Sequence, residues 1–127
     1  MLDAFSSSFL VLAYLAAALF HFAIALGAPL AEYVQGESPN GELRFSRRAL
    51  SLGLFFVFMA IVGHYLAQLG LFMPILDVAG NAVVNWVLVA IATAQALIAN
   101  TAKNLKQKKL WSGPTVAMLL AAVIVAF

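Results

Sequence analysis

Residues 9–31, 50–72, 79–102 and 110–127 are four apolar runs in which no Asp, Glu, Lys or Arg occurs. Each approaches the ~20 residues an α-helix needs to cross the ~30 Å hydrocarbon core of a bilayer, the last only barely. Inside that core an unpaired backbone N–H or C=O is costly, so such segments form helices, which satisfy the backbone internally. The pattern predicts a single integral membrane domain over residues 1–127, an all-α, up-down-up-down bundle of four transmembrane helices with short loops. Only 9% of the residues are charged, against about a quarter in a soluble domain. The absence of Cys excludes thiol catalysis, disulfides and Cys-ligated zinc.

All seven Lys and Arg residues fall between apolar runs: Arg44, Arg47 and Arg48 in one segment, and Lys103, Lys106, Lys108 and Lys109 in another. With four crossings, the first and third connections share a side. The preference of short basic loops for the inside therefore places 32–49 and 103–109 in the cytoplasm, with both termini and the turn at 73–78 outside. Against seven positive charges these segments set Glu32, Glu37 and Glu42, leaving +4; Asp3 and Asp77 give the remainder −2. The basic residues abut spans without an aromatic–basic groove pattern, so no nucleic acid is expected. Lys103, Lys106, Lys108 and Lys109 set the topology and are candidates for contact with anionic lipid heads. The first run lacks a basic leader and is too long for a signal peptide.

Turn chemistry marks the boundaries. Pro29 disfavours helix at Ala28, which predicts the first exit there, and Gly36, Glu37, Ser38, Pro39, Asn40 and Gly41 are a cluster of turn formers. Asp77 is an expected N-cap of the third helix. Ser112, Gly113 and Pro114 are expected to open the fourth, with the proline in its first turn, and Trp111 to anchor at the interface.

Helices in lipid pack through small residues and a few polar ones, and each run carries such a stripe at helical spacing. The first has Tyr14, Ala18, His21, Ala25 and Ala28; the second Gly53, Val57, Ala60, His64, Gln68 and Leu71. The third has Asn81, Asn85, Leu88, Ala92, Gln95 and Ala99; the fourth Thr115, Leu119, Ala122 and Ala126. At about 1.5 Å per residue, depths counted from the basic side give an inner polar layer, His21 with Gln95, and an outer one of Tyr14, Gln68, Asn85 and His64. A hydrogen bond between Gln68 and Asn85 is expected across helices. The same depths put His21 and His64 about 6 Å apart, which weighs against one haem held by both. No carboxylate lies within a run, no nucleophile–base pair or phosphate loop appears, and no catalytic or metal-ligating set is expected.

The stretch Leu26-Gly27-Ala28-Pro29 closes the first run and is followed by Tyr33, Gly36, Gly41, Leu43, Arg48 and Ser51. A basic run then leads through Leu110, Trp111 and Pro114 into a closing apolar helix. Over most of its length the chain thus resembles a group of small bacterial proteins with four membrane helices. In that group Trp, often followed by Gly, usually comes after Ala-Pro; here Leu30 and Ala31 stand there, so no aromatic carries over. The resemblance implies four helices and a bacterial inner membrane, and brings no activity with it.

Together these features lead to the expectation of a non-enzymatic interaction or accessory module of the inner membrane, without a cofactor. Its partners are the lipid bilayer and either further copies of itself or another membrane protein. Two alternatives stay open: a homo-oligomeric transporter or channel for a small solute or ion, its path lined by Tyr14, His21, His64, Gln68, Asn85 and Gln95, and a membrane redox protein binding haem or quinone. Intramembrane histidines are functional candidates by default, with hydrogen-bonded neutral imidazoles as the structural counterpart.

Overall fold

The computed structural model describes residues 2–27, 45–101 and 105–127. It consists of four helices, α1 (Leu2–Ala25), α2 (Phe45–Gln68), α3 (Val78–Asn100) and α4 (Leu105–Ala126), with no strand among the described residues. All four are long and apolar enough to cross a membrane, as the four runs imply. The hydrophobic surface is correspondingly inverted relative to a soluble bundle: Leu12, Leu19, Phe56, Val83, Val87 and Leu120 all face outward.

Helix ends differ from the apolar runs in an instructive way. α2 begins at Phe45 and α4 at Leu105, so Arg47, Arg48, Lys106, Lys108 and Lys109 stand within the opening residues of helices and not in loops. Backbone hydrogen bonding continues through charged residues, whose long stems reach back to water from within a helix. Residues 28–31 and 102–104, which include Lys103, lie outside the described residues, as does the turn cluster at 36–41. α1 ends before Ala28: Gly27 takes φ +97° and its N–H bonds the Ile24 carbonyl at 3.0 Å. α2 ends in a full Schellman motif, with Gly70 at φ +83°, Gly70 N–H on Ala67 O at 3.0 Å and Leu71 N–H on Leu66 O at 3.1 Å. Asp77 caps α3 as expected, accepting the Gly80 N–H at 2.7 Å.

The expected start of α4 at Ser112–Pro114 is corrected, because Pro114 lies inside the helix. Its missing N–H removes a bond to the Leu110 carbonyl. Next to that gap the Thr115 hydroxyl bonds Trp111 O at 2.6 Å and Ser112 O at 3.1 Å. Neighbouring side-chain hydroxyls are a usual accompaniment of proline within membrane helices.

Packing runs in the order α2–α1–α4–α3, through extensive α1–α2 and α3–α4 interfaces and a smaller α1–α4 one. α1 and α2 join through rings: Phe58 lies 5.6 Å from Tyr14 and 5.4 Å from His21, Phe55 lies 5.0 Å from Phe22, and Tyr65 stacks on Tyr14 at 6.3 Å. α3 and α4 present small buried residues, Ala92, Ala96 and Ala99 on one and Thr115, Ala121 and Ala122 on the other, which allow close backbone approach. The Ser112 hydroxyl bonds Asn100 Oδ1 at 2.6 Å near the basic end of this pair.

Candidate functional site

α2 and α3 follow one another in the chain yet do not pack along their lengths. Between them lies a cleft of about 660 Å³, within the range of roughly 300–1,000 Å³ common for small-molecule sites. Leu54, Val57 and Ile61 form one wall, Ile91, Gln95 and Ile98 the other, and α1 and α4 supply the floor through His21, Trp111 and Met118. Val57, Ala94 and Ile98 are exposed at its rim. Arg47 lines its basic end.

The opposite end of the cleft is latched. His64 Nε2 lies 2.7 Å from Asn85 Oδ1, one turn beyond Ile61 on α2 and beyond Leu88 on α3. With the carbonyl oxygen as acceptor, the imidazole is the donor, so its proton is on Nε2. This is the one side-chain hydrogen bond between α2 and α3 among the described residues. It pins two helices that otherwise stand apart.

His64 and Asn85 meet within the expected outer layer, whereas His21 and Tyr14 take partners other than those expected. His21 Nδ1 faces Ser51 Oγ at 3.3 Å, and the Tyr14 hydroxyl donates to Gln95 Oε1 at 3.3 Å. His21 and Gln95 share the cleft without bonding each other. The expected Gln68–Asn85 bond is corrected: Asn85 is buried and held by His64, whereas Gln68 is exposed. Gln68 instead borders a small hollow at the terminal end, about 310 Å³, with Asp3 and Ser7. Lys106, Lys108 and Lys109 are exposed near the start of α4.

The stripe assigned to α2 also needs correction. Gly53, Val57, Ala60 and Gln68 are exposed, and the buried face is Ser51, Phe58, Ile61, Val62 and Tyr65. Where lipid is as apolar as a protein interior, small residues do not define an inner face unless a helix approaches closely; against α1, ring packing decides. Sequence reasoning missed Ser51, Tyr65 and Gln107, all buried. Ser51 and Tyr65 lie 7 residues on either side of Phe58, a two-turn spacing that marks their common face. Trp111, expected at the interface, is half-buried and packs edge-on against Phe20 at 5.1 Å.

His21 and His64 take separate partners, Ser51 and Asn85. His21 packs on Phe58, and His64 lies six residues farther along α2, about 9 Å by helical rise. Two imidazoles on one metal must bring nitrogens within about 4 Å, twice a metal–nitrogen bond of about 2 Å.

Four membrane-crossing helices around this cleft define the chain as a small polytopic membrane protein. No family model matches the chain, and neither the curated proteins nor the solved structures contain a match.

Proposed function

We propose that this protein is a non-enzymatic binding module of the bacterial inner membrane, with the α2–α3 cleft as its working part and its basic end in the cytoplasm. The observation that supports it most is the cleft itself, apolar-walled and open sideways between two helices that a compact bundle would close. A ligand would enter from the bilayer and lie against His21 and Gln95. The polar side chains nearby are engaged with one another, which suits orientation and recognition better than proton transfer. Mass measurement of the intact protein released from nanodiscs tests this: a ligand or membrane partner held in fixed ratio, and lost when Ala94→Trp fills the rim, is the expected result. Protein that emerges bare, or whose cargo ignores that substitution, overturns it.

A second reading, a path for a small solute in a homo-oligomer, draws on the hollow bordered by Asp3, Ser7 and Gln68. It requires flux in proteoliposomes that disappears in His64→Ala.

A further inference from the structure

We propose that the cleft binds a membrane quinone in its oxidised form, its ring carbonyls at the side-chain N–H groups of His21 and Gln95 and its apolar tail passing out between α2 and α3; this rests on the cleft being the working part. Two spare donors carry the argument. Ser51 is fully buried, and its side-chain hydrogen bond among the described residues is with His21 Nδ1 at 3.3 Å. A buried hydroxyl proton needs an acceptor, so Ser51 donates to Nδ1, and the imidazole, neutral within an apolar span, keeps its own proton on Nε2. Gln95 accepts the Tyr14 hydroxyl on Oε1, which leaves its amide N–H groups. Neither N–H has a partner among the described residues, and both side chains line the cleft. The complement of two donors is a neutral ligand bearing acceptor oxygens.

The surroundings of the two donors narrow the ligand further. Phe20, Phe58 and Trp111 line the same cleft. Phe20 lies 5.1 Å from Trp111 and 5.4 Å from His21, and Phe58 lies 5.4 Å from His21. A flat conjugated head gives such rings a face or an edge to pack on, which an acyl ester does not. The opening is lateral, between helices that stand in the bilayer, so a tail longer than the cleft stays in hydrocarbon. Arg47, at the basic end, already interacts within the protein, so the site asks for no charged head. A partner helix fits less well. Its backbone carbonyls are satisfied internally, and it needs small residues to come close, whereas the walls are Leu54, Val57, Ile61, Ile91 and Ile98. A quinol fits less well too, because each phenolic oxygen is a weaker acceptor than a carbonyl and brings a proton that itself needs a partner.

The test uses the full chain in phosphatidylcholine nanodiscs with decylubiquinone, a quinone whose short tail equilibrates readily between membranes. Discs carrying the protein should retain it saturably, one per chain, above protein-free discs. Its infrared carbonyl band should lie at lower frequency when bound than in protein-free discs, the mark of accepted hydrogen bonds; an unshifted band overturns the proposal whatever any variant does. Gln95→Met should weaken binding about fivefold, and so should His21→Phe paired with Ser51→Ala, which strands no hydroxyl. Decylubiquinol should bind about fivefold more weakly than the quinone. Ala94→Trp should abolish saturable retention, with Ala90→Trp on the exposed face of α3 as the folding control. Wild-type protein without saturable retention overturns the proposal. So does an affinity untouched by either donor variant, or quinol held as tightly as quinone. A lipid or partner protein held in place of the quinone and displaced by Ala94→Trp would refute the quinone and leave the cleft reading intact; cargo indifferent to Ala94→Trp would end both.

Discussion

Gly27 carries two constraints at once. Its φ of +97° belongs to a region where an L side chain costs about 1–2 kcal/mol, and a Cβ there would meet the Arg48 guanidinium at 3.3 Å. Gly70 has φ +83° with open space around it. Gly27→Ala should therefore cost roughly twice as much as Gly70→Ala in thermal melts in detergent, because Arg48 must also shift from the Ala25 carbonyl that it caps; equal losses would mean that the cap contributes nothing. Tyr65 gives the opposite sign. Its hydroxyl is fully buried and has no hydrogen-bond partner among the described residues. An unmet buried donor costs about 1–3 kcal/mol, so removing it helps. Tyr65→Phe should leave the melting temperature equal or higher, and a clear fall would show that the hydroxyl has a partner in the membrane. The Gly27 turn was legible as a helix exit near Ala28, since Gly-Ala-Pro ends helices. Arg48 as its cap was not, because a contact across 23 residues leaves no local mark.

At the scale of elements, the latch between α2 and α3 should behave as a coupled pair. Interhelical hydrogen bonds within membranes average about 0.6 kcal/mol and reach about 1.7. A double-mutant cycle of His64→Ala and Asn85→Ala, read by unfolding in bicelles, should give a coupling in that range; additive losses would show that the bond is not made. The polar stripes of α3 and α4 were legible because both helices bury the small side chains that period them. That of α2 was not: its exposed small residues carry the same spacing as an interface, and only the tertiary choice of Phe58 and Tyr65 against Tyr14 reveals which face turns inward. The start of α4 failed for a related reason. Proline and glycine together look like a beginning, yet a helix in lipid tolerates Pro114 in its middle.

For the whole molecule, four helices and their antiparallel order follow from the apolar runs alone, because the bilayer allows so few alternatives. The cleft does not follow, since nothing along the chain records that α2 and α3 stand apart. Orientation has its own test. Replacing Lys103, Lys106, Lys108 and Lys109 with Gln should invert or mix the topology of reporter fusions at the two termini, and an unchanged pattern would refute the assignment of the basic end to the cytoplasm. The latch and the guanidinium sit at opposite ends of one opening. If spreading or closing the jaws changes how firmly His64 holds Asn85, then filling the jaws changes it too, by the same factor in both directions. Events on one side of the membrane would then be felt on the other by a lever two helices long, fulcrum at one end and load at the other, with no ion or solute passing between.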